Sequence, residues 1–227
     1  MTETEPKISW EVVTKFIRQL NHDLRNHLNA VELQLAFLNE IAPDTETKSE
    51  LKRLREITGE LGGVMQKLSN SLKKPRPQLI TYQAKEFIED LRAKISQTQP
   101  ELAKVIEWRD SLGAEVLEID PSLLLEAFQE IFANAAEHLL DQGRLIFEAS
   151  KQEDAIEFSL REPKKDFDDA PEEWGTRPLS VVRQGHYSLG LFRARGILEA
   201  HHGTLRAQFD PAASVLVTTV RLPRCVS

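Results

Sequence analysis

The chain has 227 residues, 41% of them hydrophobic and 29% charged, with a net charge of -7. That supplies apolar content for one or two cores, and the acidity argues against a nucleic-acid partner, since neutralising phosphates needs a basic surface. Cys225 is the single cysteine, which excludes an intrachain disulfide and a cysteine-built metal cage. No run of about eighteen apolar residues offers membrane insertion, so a cytoplasmic location is expected.

From Ile8 to Ile41 the pattern is helical. Ile17, Leu24, Leu28, Val31, Leu35, Leu38 and Ala42 recur in steps of three and four once Asn21 fills the one polar seat, which makes a heptad seam. With Asn21 at position a and Leu24 at d, His22 falls at b, off the packed stripe, and Asn26 lies one turn further on the same side. Ala42-Pro43-Asp44 breaks the helix, and Thr47 to Glu50 offers a capping box for the next one. That second helix carries Leu51, Leu54, Thr58, Leu61, Met65, Leu68 and Leu72 at the same period. The short connection makes the two helices antiparallel. A hairpin alone cannot enclose this apolar surface, so a homodimeric four-helix bundle is predicted. Gly59, Gly62 and Gly63 weaken the second helix, and spacing leaves open whether they mark close backbone approach or a hinge.

Lys73 to Pro77, with two prolines, reads as a linker between a first domain over 1–74 and a second over 75–227. The second alternates short strands and helices: a strand at 78–82, a helix at 84–96, strands at 105–108 and 115–119, and a helix from Leu123 to about Leu140 opened by Asp120-Pro121-Ser122. A hairpin follows at 144–150 and 155–161, then a polar acidic stretch over 162–185, a helix from Ser188 to His201, and a closing hairpin at 204–209 and 215–222. The predicted class is α+β, a helical hairpin followed by a two-layer sandwich.

Histidine is nucleophilic near neutrality, and an adjacent carboxylate such as Asp23 can hold its tautomer or take its proton. His22-Asp23-Leu24-Arg25-Asn26 with its hydrophobic continuation resembles the phosphoacceptor box of sensor histidine kinases, with His27 standing where that family carries Pro. The second domain resembles the same family's Bergerat-type ATP-binding domain. Phe128 to His138 is similar to the box whose Asn helps hold Mg²⁺, placing Glu130 and Asn134 on one helix face, with Asn134 as the metal-side residue. Gly185 to Leu191 resembles the glycine-rich phosphate box; there Gly190 and Leu191 persist and Ser188 replaces a glycine.

The adenine-reading box departs from the family pattern. Where an Asp and alternating glycines are expected, this chain has Glu162-Pro163-Lys164-Lys165-Asp166, without a glycine. Retention of the His22 box beside decay of the adenine box implies a kinase-derived histidine phosphotransferase. In that reading His22 exchanges a phosphoryl group with response-regulator receiver domains, Asp23 orients the imidazole, and Arg25 and Asn26 steady the phosphoryl oxygens. Two alternatives remain open at this point. One is a soluble autokinase that binds Mg-ATP through Glu130, Asn134, Glu162, Ser188, Gly190 and Leu191; the other is an inert dimeric adaptor.

Overall fold

The computed structural model describes residues 9–137, 143–165, 174–176, 178 and 189–225. Two compact units meet between Lys73 and Lys74.

The first unit is an antiparallel pair of helices, α1 (Trp10–Ile41) and α2 (Thr45–Ser71). Neither Gly nor Pro interrupts α1, which runs unbroken through His27, and Ser9 caps it by accepting the Val12 N–H at 3.4 Å. The expected capping box at Thr47 to Glu50 does not open α2. Asp44 does, because its carboxylate takes both the Thr47 N–H at 2.7 Å and the Thr47 hydroxyl at 2.8 Å, so the N-cap falls three residues earlier.

The heptad stripes divide between two faces. Asn21 and Leu35 of α1 and Leu51, Met65 and Leu72 of α2 are buried, each line advancing by multiples of seven. The other seam line stays half exposed: Leu24 at 42%, Val31 at 45%, Leu38 at 43%, Leu54 at 49% and Leu61 at 50%. One stripe closes the hairpin and the other is left open.

The second unit is a two-layer α+β sandwich, as its element order predicts. Strands β2 (Ile106–Asp110), β4 (Leu145–Lys151), β5 (Ala155–Pro163), β7 (Val215–Pro223) and β6 (Thr204–Asp210) form one sheet in the order β2-β4-β5-β7-β6. Only β2 and β4 run parallel; the rest are antiparallel, and β1 (Ile80–Gln83) pairs β3 (Val116–Ile119) in a separate two-stranded ribbon. Helices α3 (Ala84–Thr98), α5 (Pro121–Glu137) and α6 (Gly190–Ala200) supply the other layer, and a short α4 (Pro100–Ala103) was not legible in the sequence. Inward residues of β4 and β5 alternate with polar ones, so Phe147, Phe158 and Leu160 meet Phe87 and Phe128 from the helices. Phe128 and Phe158 contact edge to face with centroids 5.3 Å apart.

Two polar anchors lock the helical layer. Asp120 caps α5 by accepting the Leu123 N–H at 3.1 Å and also takes the Gln78 N–H at 3.0 Å. His201, 2% exposed at the end of α6, accepts the Asp120 N–H on Nε2 at 3.0 Å and donates from Nδ1 to the Ile197 carbonyl at 2.8 Å. The chain then turns through His202, at φ 59°, into Gly203. A Cβ on Gly203 would stand 2.7 Å from the Arg221 carbonyl oxygen, so only glycine lets α6 hand over to β6 beside β7.

Burial works against the Asp120 carboxylate, but the amide hydrogen bonds from Gln78 and Leu123 outweigh it and hold its pKa below the ordinary value. A group depressed in the folded state stabilises above its unfolded pKa and loses that contribution as pH falls through the folded one. Asp120→Ala is therefore expected to destabilise the sandwich by about 1 to 2 kcal/mol at pH 7. In urea unfolding across pH, that gap from wild type should close below about pH 4.

Candidate functional site

His22 stands on the open surface of α1, its side chain 69% exposed. Its Nδ1 lies 3.3 Å from Asp23 Oδ1 and 3.4 Å from Asn26 Nδ2. These contacts belong to opposite tautomers: Nδ1 either donates to the carboxylate or accepts from the amide. Asp23 is itself held by the Gln19 amide, which donates to Oδ1 at 2.9 Å. With the proton on Nδ1, Nε2 keeps its lone pair. Arg25, expected among the phosphoryl contacts, donates to the Gln66 side chain across the hairpin.

On α5 the buried residues Phe128, Ile131, Phe132 and Ala135 face the core, which turns Glu126, Glu130 and Asn134 to a half-buried stripe at four-residue spacing. Arg193, 8% exposed, donates from Nε to Glu126 at 2.9 Å. One turn earlier on α6, the Glu130 carboxylate lies against Gly190 so closely that a Cβ there would collide with it. An acidic oxygen thus sits beside the N-terminal residue of α6, where a helix favours negative charge. The helix begins at Gly190, two residues later than expected, with Leu189 at its N-cap position. Ser188, like Gly185, His138 and the acidic residues Asp166, Asp168, Asp169, Glu172 and Glu173, lies outside the described residues.

Glu162 continues the inward face of β5 and is 2% exposed. Lys164 folds back on it, Nζ to Oε1 at 3.1 Å, with the Lys side chain itself only 14% exposed. The same ammonium sits 6.0 Å above the Trp174 ring, which is 7% exposed. Arg195 donates from Nε to the Trp174 carbonyl at 3.0 Å, and Gly175, at φ 69°, closes against the Leu191 carbonyl. Glu162, Lys164, Trp174 and Leu191 therefore form one packed chain of contacts. Burial raises the Glu162 pKa, with the Lys164 charge working the other way.

Trp174 was missed in the sequence, although a tryptophan inside an acidic stretch is a signal that it has something to cover. Among the described residues no cluster of His, Cys, Asp or Glu has the form of a metal site. No helix there is long and apolar enough to cross a membrane.

No protein-family model matches the chain, and no curated protein matches it in sequence. Solved structures match its fold. Full-length ShkA, in complex with AMPPNP, aligns at a TM-score of 0.71 and 17% identity over 94% of this chain. The chain spans 46% of ShkA, about half its length. The mycobacterial sensor histidine kinase MprB gives a TM-score of 0.53 at 18% identity, over 66% of this chain and 99% of MprB. The Acinetobacter baumannii histidine kinase AdeS gives 0.53 at 16%, over 89% of this chain and 97% of AdeS. The fold is that of a histidine-kinase core, a helical hairpin followed by an ATPase-type sandwich.

The Glu162–Lys164 pair yields a signed expectation. Lys164→Met leaves a buried carboxylate uncompensated and should destabilise the sandwich by about 3 kcal/mol at pH 7. A carboxyl whose folded pKa is raised loses stability as pH rises past its unfolded value. The variant's deficit in thermal unfolding should therefore shrink between pH 7 and pH 5.

Proposed function

We propose that this chain is a phosphorelay protein of two-component signalling. His22 takes a phosphoryl group from the aspartyl phosphate of one response-regulator receiver domain and passes it to another. In the forward step the Nε2 lone pair attacks phosphorus, an N–P bond forms, and the acyl-phosphate P–O bond breaks to return the receiver's aspartate as a carboxylate. Asp23 holds the proton on Nδ1 and takes up the positive charge that develops on the ring. With Nδ1 engaged by Asp23, the Asn26 amide is free to donate to a phosphoryl oxygen. The rate then depends on positioning and charge stabilisation, and the receiver brings its own Mg²⁺.

The observation that carries this reading over an ATP-driven one is the Glu162–Lys164–Trp174 arrangement. The residue in the place of the adenine-reading acid has its carboxylate paired with an ammonium from its own chain, under an indole. Glu130 likewise brings a negative charge to the start of α6, where a nucleotide phosphate would need a donor. Both arrangements favour a phosphoryl donor other than a nucleotide bound to the sandwich. The autokinase reading draws on the likeness to ShkA, whose structure holds AMPPNP, and would give Glu130, Asn134, Gly190 and Leu191 the nucleotide.

A second copy covers the half-exposed stripe of the hairpin, giving a homodimer that presents two His22 rings. In this reading the exchange takes place in the cytoplasm, where the receiver partner is met.

The test is to incubate the protein with Mg-ATP and, separately, with a phosphorylated receiver domain. Acid-labile label should arise from the receiver alone and be absent in His22→Ala, and Asp23→Ala should slow its appearance about 100-fold. Label from Mg-ATP would replace the relay with the autokinase, and no label from either donor would leave a non-catalytic adaptor.

A further inference from the structure

The inward line of α1 changes character along its length. Toward the hairpin tip it carries Leu28 and Leu35, but toward His22 the same seven-residue spacing gives Asn21 and Thr14. Asn21 is 7% exposed, and its Nδ2 has no hydrogen-bond partner; the buried Thr14 Oγ1 has none either. A buried donor without a partner loses its water and gains nothing, so this half of the hairpin is held less firmly than the apolar tip.

The facing helix is weakened beside that half, because the Arg25–Gln66 and Arg55–Glu32 contacts set Gly59, Gly62 and Gly63 opposite the turns of α1 that follow His22. A Cβ on Gly59, Gly62 or Gly63 would meet nothing within 4 Å among the described residues, which removes close backbone approach within the chain as their reason. Gly63 lies three residues before Gln66, the residue that receives Arg25 from the turn following His22. Mid-helix glycine enlarges the conformational freedom lost on folding. Both helices are thus loosened within about two turns of the same histidine, while the tip keeps a well-formed Asp44 cap and apolar packing.

We propose that Asn21 is a positioning residue, a poorly satisfied seat that leaves the α1 segment bearing His22 able to shift and so to meet phosphorus on more than one partner. The inference rests on the phosphoacceptor reading of His22. A relay histidine engages a donor and an acceptor whose surfaces differ, and a misplacement of about 1 Å can cost about 100-fold in rate. A segment with small local unfolding free energy adjusts to both, whereas a rigidly packed one suits a single geometry.

Asn21→Leu supplies the missing apolar contact. Its Tm should rise by about 4 °C or more, amide hydrogen exchange over residues 18–26 should slow about tenfold, and phosphoryl uptake by His22 from a phosphorylated receiver should also slow about tenfold. Gly62→Ala, for which there is open space, should move all three quantities the same way and guards against a leucine that overpacks its seat. Asn39→Ala, a helix-stabilising change near the tip, should raise Tm and leave uptake at the wild-type rate. The proposal is overturned if Asn21→Leu and Gly62→Ala both fail to raise Tm and slow exchange, or if they do so while uptake is unchanged. It is overturned equally if Asn39→Ala slows uptake as much as they do. Should the wild type take no label, the reading of His22 has failed instead, and Tm and exchange decide whether the seat is loose.

Discussion

The hairpin is governed by a mismatch of widths. The apolar arc of α1 is broader than the strip that α2 can cover, because residues at both seam positions are apolar and one antiparallel neighbour buries only one line of them. Asn21 and Leu35 go inward while Leu24, Val31 and Leu38 stay near 45% exposed. A free hairpin with this composition would gain by covering Leu24, Val31 and Leu38 as well, and their exposure beside a buried Asn21 supports a second partner for the open stripe. The burial of Asn21 also fixes His22, one residue past the inward seat, on the outer surface.

The sandwich follows a different logic. Its core is a conventional layer of phenylalanines between sheet and helices, and its polar residues look after their own charges. Asp120 serves as a cap, His201 ties the end of α6 to that cap, Arg193 meets Glu126, and Lys164 meets Glu162. At the place that the sequence resemblance gives to the adenine-reading acid, Glu162 is engaged by Lys164 of its own chain. The hairpin shows the reverse pattern, with an exposed imidazole at His22 whose one contacted nitrogen is shared between a carboxylate and an amide.

Periodicity made the two long helices, the succession of strands and helices and the sheet hairpins legible, since each rests on a repeating apolar pattern that sequence states directly. The start of α2 was misread because two capping solutions overlap within six residues, and the choice of Asp44 turns on which carboxylate reaches Thr47. The splitting of the heptad stripe was hidden for a related reason: sequence gives the width of an apolar face, not how many neighbours share it. At the sandwich site, the absence of glycine over Glu162 to Asp166 was readable, whereas the ion pair with Glu162 and the cover by Trp174 depend on backbone paths that no spacing contains. The partnerless amide of Asn21 was visible only as a polar letter in an apolar line.

The account depends most on the open stripe being covered by a second copy. Sedimentation equilibrium of the purified chain at micromolar concentration tests this directly. The mass should be that of two chains, and Leu24→Glu with Leu61→Glu should reduce it to one. A wild-type chain that sediments as a single copy at these concentrations would contradict the paired hairpin and the presentation of His22 built upon it.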